Sequence, residues 1–401
     1  VSVKSKVMLF SHICHPDRMS GAEKWLLFLA RILTGQYEVV LVVPCAGMLS
    51  IEAETAGIRI AIQDSPLLWS LYESSPAMHQ EFAKQEASNS YRSLLTLLHM
   101  HRPDWVIVNT AVNALPAAAA KKAGIPVAWI INEILYPEAH QIDAVRIVNR
   151  YADWIIGISE AVLAPFKDSI VNNKKRLISP SWNDTELHPE KWEENRRYLR
   201  AVHNIVDHET LIGLVSGIVS AHKGIDQFIN MAGRLIPHFP QAKFLIAGSL
   251  EITDYFNKCQ TLAHSTLDPS RIIFLPFAKH IEQLYPALDV VVVPSMIDEG
   301  FGMTALEGMA FGKPVVAYDS AGLGELLQNT GNEEFLVPKG DVDRLSQTIA
   351  DLLQHKDRML EIGTKNRKEA VESFGIGIFQ SRLNNLLQEI DAVVHDLKKT
   401  I

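Results

Sequence analysis

Short, nearly continuous apolar runs alternate along this chain with stretches of helical periodicity. In the first half the runs fall at 6–11, 38–44, 58–63, 104–109, 126–131 and 153–159, and in the second at 211–216, 242–247, 271–275, 289–294 and 314–318. Between them apolar residues recur every three to four positions, at 22–33, 91–101 and 115–123, then at 225–235, 281–288, 304–311 and 342–353. That spacing is the stripe of an amphipathic helix. Apolar strands separated by helices predict an α/β protein whose parallel sheets are covered on both faces. The rhythm stops once, where the chain turns polar and charged, and then restarts. It therefore predicts two domains, 1–185 and 209–375, joined by a linker at 186–208. Beyond about residue 356 two more helical patterns follow, and the last, about 376–401, is expected to pack back on the first domain.

Composition narrows the class. A chain of 401 residues with 47% hydrophobic content is long enough for two packed cores. A net charge of −8 argues against nucleic acid as a partner. Three cysteines without a Cys-x-x-Cys spacing point to a reducing compartment and away from structural zinc. The longest apolar runs are far too short to span a bilayer. The opening residues lead toward a strand without a signal-peptide pattern, so the expected location is cytoplasmic, with peripheral contact at the inner membrane face left open.

The densest chemistry lies in the segment 294–310. An apolar run, 290–293, leads into a loop with Glu299, then Gly300, Phe301 and Gly302, then a helix carrying Glu307. Glycines allow backbone N–H groups to approach a ligand closely. A helix N-terminus attracts an anion such as a diphosphate. Carboxylates on either side of that anion can hold hydroxyl groups. On one continuous helix, eight positions span about 12 Å at 1.5 Å per residue, enough for a sugar, a diphosphate and a ribose in line. Lys223, just before Gly224 and a helix start, offers a flexible cation for a phosphate.

The Glu299–Glu307 segment resembles the Glu-x7-Glu signature of the retaining glycosyltransferases of family 4. Around it, Ser216 to Asp226 looks like the family's Gly-Arg-x4-Lys-Gly segment, and Phe244-Leu245-Ile246-Ala247-Gly248 like its next strand. Gly312-Lys313-Pro314-Val315-Val316-Ala317 and Phe335 to Asp341 follow in the family's order. In the first half, Ser20-Gly21-Ala22-Glu23 looks like the Gly-Gly-x-Glu loop, and Ile158-Ser159-Glu160-Ala161 like a strand end of the family. The resemblance is strong in the second domain and patchy in the first.

It implies the GT-B fold, two Rossmann-like domains with parallel sheets facing across a cleft, and transfer of a sugar from a nucleotide-diphosphate sugar to a hydroxyl. Glu299 would hold the donor sugar and Glu307 the ribose. Gly217, Gly300, Phe301, Gly302 and Met303 would line sugar and phosphates, and Lys223 would meet the leaving phosphate. Ser20, Gly21 and Ala22 would supply further N–H groups, and the loop of Phe277 would face the base. The expected mechanism is front-face attack, with the leaving phosphate accepting the acceptor's proton and no metal or other cofactor taking part. A UDP-sugar is the favoured donor. The acceptor is a glycan, a lipid-linked or a small-molecule hydroxyl.

Two departures from the family stand out. Ile218 occupies a place where the family has Arg, and Arg18 and His222 are the candidates to supply the missing charge. Asn132 and Glu133 stand near the point where many relatives place a His. Glu133 is therefore the candidate to orient an acceptor hydroxyl or help take its proton, with Asn109 in a weaker supporting place. His12 and His15 suit acceptor contact or loop polarity better than metal binding. Lys174-Lys175-Arg176 reads as a solvated face that could meet anionic lipid. Three other readings remain: a sugar-nucleotide epimerase on the same fold, a non-catalytic nucleotide-sugar binder or partner subunit, and a phosphorylase using free phosphate and a bound pyridoxal cofactor.

Overall fold

The computed structural model describes residues 4–167, 171, 173–250 and 253–400. The chain divides into two compact units, residues 1–180 with 379–401, and residues 181–378. Unit 1 holds a seven-stranded sheet in the order β3-β2-β1-β4-β5-β6-β7. Its strands are β1 (Lys6–Phe10), β2 (Glu38–Val43), β3 (Arg59–Ile62), β4 (Trp105–Asn109), β5 (Val127–Ile131), β6 (Trp154–Gly157) and β7 (Lys175–Leu177). Unit 2 holds a six-stranded sheet, β10-β9-β8-β11-β12-β13. Those strands are β8 (Thr210–Ile218), β9 (Ala242–Ser249), β10 (Ile272–Leu275), β11 (Val290–Val293), β12 (Val315–Tyr318) and β13 (Leu336–Val337). The strand pairings in both sheets are parallel.

Burial explains why apolar runs became strands. Every residue of β4, β5, β11 and β12 is buried, as a parallel sheet covered by helices on both faces requires. In each sheet the order reverses once, between β1 and β4 in unit 1 and between β8 and β11 in unit 2. The loops leaving those strands flank a crevice at the carboxyl edge, where open α/β sheets bind ligands.

Several expectations need correction. The stretch 281–288 is not a helix but two 3-10 turns, Ile281–Gln283 and Tyr285–Ala287, because Pro286 cannot donate a helical hydrogen bond. The polar stretch 186–208 contains the helix Trp192–Val202, which belongs to unit 2. Arg196 and Arg200 on that helix both pair with Asp289, at 2.8 and 3.2 Å, and so anchor it beside β11. The basic cluster 174–176 is not a solvated face. Lys175 and Arg176 lie in β7, Lys174 donates to the carbonyls of Asn149 and Ala152, and Arg176 pairs with Glu389 of the C-terminal helix. That helix, Ile376–Thr400, also receives Tyr37, whose hydroxyl lies 3.0 Å from Asp391. No helix among the described residues is long and apolar enough to cross a membrane.

Candidate active site

The unit 2 site forms where the loops after β8 and β11 meet. Strand β8 ends with a register irregularity between Val215 and Ile218, and Ile218 then pairs with Ser249 of β9. Gly217 lies in this distorted strand end, and Ser216 closes it by donating through its hydroxyl to the Ile218 carbonyl at 2.9 Å. The chain then makes a 3-10 turn, Ala221–Lys223, and reverses at Gly224 before the helix Ile225–Leu235. Gly224 has φ +66, and a Cβ there would sit 2.0 Å from the Pro294 carbonyl oxygen. Only glycine lets the lysine turn lie this close to the end of β11. The Met296 N–H donates to the His222 carbonyl at 2.9 Å and joins the two loops.

This close approach brings Lys223 to Glu299. The ammonium lies 2.6 Å from Glu299 Oε1, and the Ser295 hydroxyl donates to the same oxygen at 2.5 Å. The Glu299 side chain is only 17% exposed. Burial works to raise its pKa, yet the charge of Lys223 and the hydrogen bonds from Lys223 and Ser295 prevail. The carboxyl is held below its usual range and stays ionised. Lys339 adds to this field while pairing with Asp298 at 2.5 Å.

The two glutamates lie as the sequence predicts, one in a loop and one in the helix that follows it. Glu299 lies in the loop, fixed by its carbonyl, which accepts from the Gly322 N–H at 2.9 Å. The helix Met303–Ala310 begins after Gly302, which has φ +98. A helix start leaves its first N–H groups without intrahelical partners, and its dipole favours an anion there. Thr304 ties the helix start to β8 by donating to the Val215 carbonyl at 3.3 Å. Glu307, one turn further on, accepts from the Tyr285 hydroxyl at 2.8 Å. Tyr285 is fully buried and stacked on Phe311, so its hydroxyl is a rigid support for the carboxylate. Phe277 is half-buried in the loop after β10.

Of the candidates for the charge missing at Ile218, His222 is exposed. Arg18, in unit 1, is engaged with His15 at 2.7 Å and lies 3.7 Å from Asp17. Ser295, Tyr285 and Lys339 were missed in the sequence. Tyr285 lies 22 positions before Glu307 and Lys339 lies 41 after Asp298, separations that no local pattern signals.

In unit 1 the polar residues gather at the ends of β1, β4 and β5. Ser20 caps the helix Gly21–Leu33, accepting from the Glu23 N–H while Glu23 accepts from the Ser20 N–H. This reciprocal cap leaves the N–H groups of Gly21 and Ala22 at the half-buried first turn. Glu23 is buried, and burial raises its pKa despite the bonds to Ser20. Asn109 donates to the Ala22 carbonyl at 3.1 Å and accepts from Asn132 at 2.8 Å. Burial lowers the His12 pKa to about 4 and keeps its ring neutral. Glu133 Oε2 accepts from the N–H groups of Ala111 and Asn132, at 2.9 and 3.1 Å. Burial outweighs these bonds and pushes its pKa from 4.5 to about 7. Among the described residues no group of three His, Cys, Asp or Glu side chains is placed to hold a metal ion.

The family model "Glycosyl transferases group 1" matches residues 195–369, the segment that contains Lys223, Glu299 and Glu307. The second domain is thus similar to that family's domain, and the fold of the chain is GT-B-like. The chain is 34% identical over 150 residues to an uncharacterized glycosyltransferase, MJ1607, of Methanocaldococcus jannaschii, an overlap covering 37% of each chain. It is 27% identical over 294 residues to the GDP-mannose-dependent monoacylated alpha-(1-6)-phosphatidylinositol monomannoside mannosyltransferase of Corynebacterium glutamicum, covering 69% of this chain and 73% of the other. Anabaena Alr3699/HepE, solved in complex with UDP and glucose, superposes with a TM-score of 0.78 at 21% identity, over 96% of this chain and 99% of that one. The chain aligns with 37–60% of the length of the curated relatives it matches first.

Proposed function

We propose that this protein transfers a sugar from a nucleotide-diphosphate sugar, with a UDP-sugar favoured, to an acceptor hydroxyl with retention at the anomeric carbon. The observation that carries the reading is the Lys223–Glu299–Ser295 cluster set before the N-terminus of the helix Met303–Ala310. Both hydrogen bonds to Glu299 fall on Oε1. Oε2 then accepts a donor-sugar hydroxyl from a carboxylate already fixed and ionised. The amides of residues 300–303 take the sugar and phosphates, with Gly217 lining the site from β8. Glu307, oriented by Tyr285, takes the ribose hydroxyls, and the loop of Phe277 takes the base.

In the reaction the acceptor oxygen bonds to the anomeric carbon as the bond from that carbon to the phosphate oxygen breaks. The proton passes from the acceptor to the departing phosphate. Lys223 and the helix N-terminus stabilise the charge that builds there, and this preorganised field lowers the barrier. In unit 1, Ser20, Gly21 and Ala22 provide a second anion-binding turn, and Glu133 orients the acceptor hydroxyl for this transfer. The complexes of HepE with UDP and UDP-glucose support the choice of UDP.

Melting the protein with UDP-, GDP- and ADP-sugars tests the donor assignment. A ligand at a hundred times its Kd adds about 2.7 kcal/mol of stability, so the correct one raises the melting point clearly. Glu307→Ala and Lys223→Ala are expected to lose most transfer. Wild-type turnover in both would sink the site assignment.

A further inference from the structure

The loops at the carboxyl ends of β3 and β5 bring three aromatic rings together in unit 1. Trp69 and Tyr72 lie on the short helix Trp69–Tyr72, and Tyr136 lies three positions beyond Glu133. The Tyr72 and Tyr136 rings are 4.7 Å apart and tilted by 54°, and Trp69 meets Tyr72 edge-on at 6.5 Å. Rings of this size normally contribute to a core. Here Trp69 is 53% exposed and Tyr136 is 42% exposed.

The backbone beneath them is firmly tied. The Tyr136 N–H donates to the Tyr72 carbonyl at 3.0 Å, and the Ser74 hydroxyl donates to the Tyr136 carbonyl at 2.7 Å. Ser74 is held at φ +51, a conformation a side-chain-bearing residue adopts at a cost and keeps only where its surroundings enforce it. The Leu68 N–H donates to the Val112 carbonyl at 2.7 Å, which fixes the aromatic helix to the turn after β4. That same turn gives the Ala111 N–H to Glu133. The rings and the Glu133 carboxylate are thus parts of one braced structure.

We propose that Trp69, Tyr72 and Tyr136 form the platform for a pyranose ring of the acceptor, making the acceptor a carbohydrate. This rests on the transferase reading given above. A pyranose has an apolar face of C–H groups and a rim of hydroxyls. Exposed aromatic faces, one of them on the loop that carries Glu133 three positions earlier, match both parts. The charged residues flanking the rings, Glu73 and Glu138, are acidic and exposed, which opposes docking on an anionic lipid surface.

Saturation-transfer NMR with the methyl α- and β-pyranosides of glucose, galactose and mannose tests this on the full chain. The expected result is transfer to the ring C–H protons of at least one glycoside. Trp69→Ala and Tyr136→Ala should lose it by roughly five- to tenfold while Trp69→Phe retains most of it. Melting points taken in parallel confirm that each variant is folded, and shifts with UDP-glucose report the donor site separately. Signals that are absent in the folded wild type, or equal in wild type and both alanine variants, overturn the platform. So does co-sedimentation with phosphatidylglycerol vesicles that needs the rings when no sugar signal does. If no nucleotide sugar shifts the wild type, the transferase reading fails, whatever the glycoside signals show.

Discussion

Glu299 and Glu133 stand at corresponding places, just past a strand at the carboxyl edge of a parallel sheet, and the two units treat them in opposite ways. In unit 2 a lysine and a serine converge on Glu299, and the carboxylate is held ionised against the pull of burial. In unit 1 Glu133 has two backbone N–H donors, burial prevails, and its pKa rises to about 7. Residue type alone therefore sets neither charge nor role. A cation in hydrogen-bond reach makes one glutamate a fixed acceptor, and its absence leaves the other poised to exchange a proton near neutral pH.

The contrast is broken most severely by removing the cation pair. Glu299→Ala or Lys223→Met should lower turnover by roughly 10²–10³-fold, the range for losing a preorganised charge contact. Nucleotide release coupled to a spectrophotometric readout checks this. Gly224→Ala tests the backbone that makes the pair possible. With φ +66 and the Pro294 carbonyl 2.0 Å from the new Cβ, it should cost about 1–3 kcal/mol of stability, measured by denaturant unfolding, and depress turnover with it.

In unit 1, Glu133→Gln should lower the rate by about tenfold and remove a limb of the pH–rate profile near 7, with activity in the wild type rising as the carboxyl ionises. The two glutamates also bend stability in opposite directions. Folded Glu133 holds its proton more tightly than the unfolded chain, so stability falls as pH rises from 4.5 to about 7. Glu299 is depressed, so its contribution is present above the unfolded value and is lost as pH falls through the folded one. Melting curves of wild type and Glu133→Gln from pH 4 to 8 should therefore converge on the acid side. The smallest effect is expected from Tyr285→Phe, which deletes one hydrogen bond to Glu307 and should weaken donor binding by about fivefold, near 1 kcal/mol, in a calorimetric titration.

The sequence made the sheets legible because parallel strands buried on both faces are written as apolar runs. Strand β7 was hidden by Lys175 and Arg176, charges that an edge strand tolerates and a central one does not. Strand β13 is only two residues long and leaves no periodicity to read. The helix Trp192–Val202 was hidden because Arg196 and Arg200 hold it to Asp289 by ion pairs, where a pattern reading looks for an apolar stripe. At the site, Lys223, Glu299 and Glu307 were legible because they sit in short motifs beside glycines. Their supports were not. Ser295, Tyr285 and Lys339 act through contacts made by the fold, and the aromatic cluster of unit 1 joins loops from two strands far apart in the chain. What replaces the charge absent at Ile218 was not legible either, since neither candidate lies in unit 2 as an engaged cation: His222 is exposed there and Arg18 belongs to unit 1.

The central claim is that the crevice between β8 and β11 receives the diphosphate of the donor. Hydrogen exchange of the full chain with and without saturating UDP-glucose tests it most directly. The account predicts slowed exchange of the amides at 300–304, with a smaller effect at 220–224. If UDP-, GDP- and ADP-glucose all leave exchange at 300–304 unchanged, the donor does not bind there and the account is wrong.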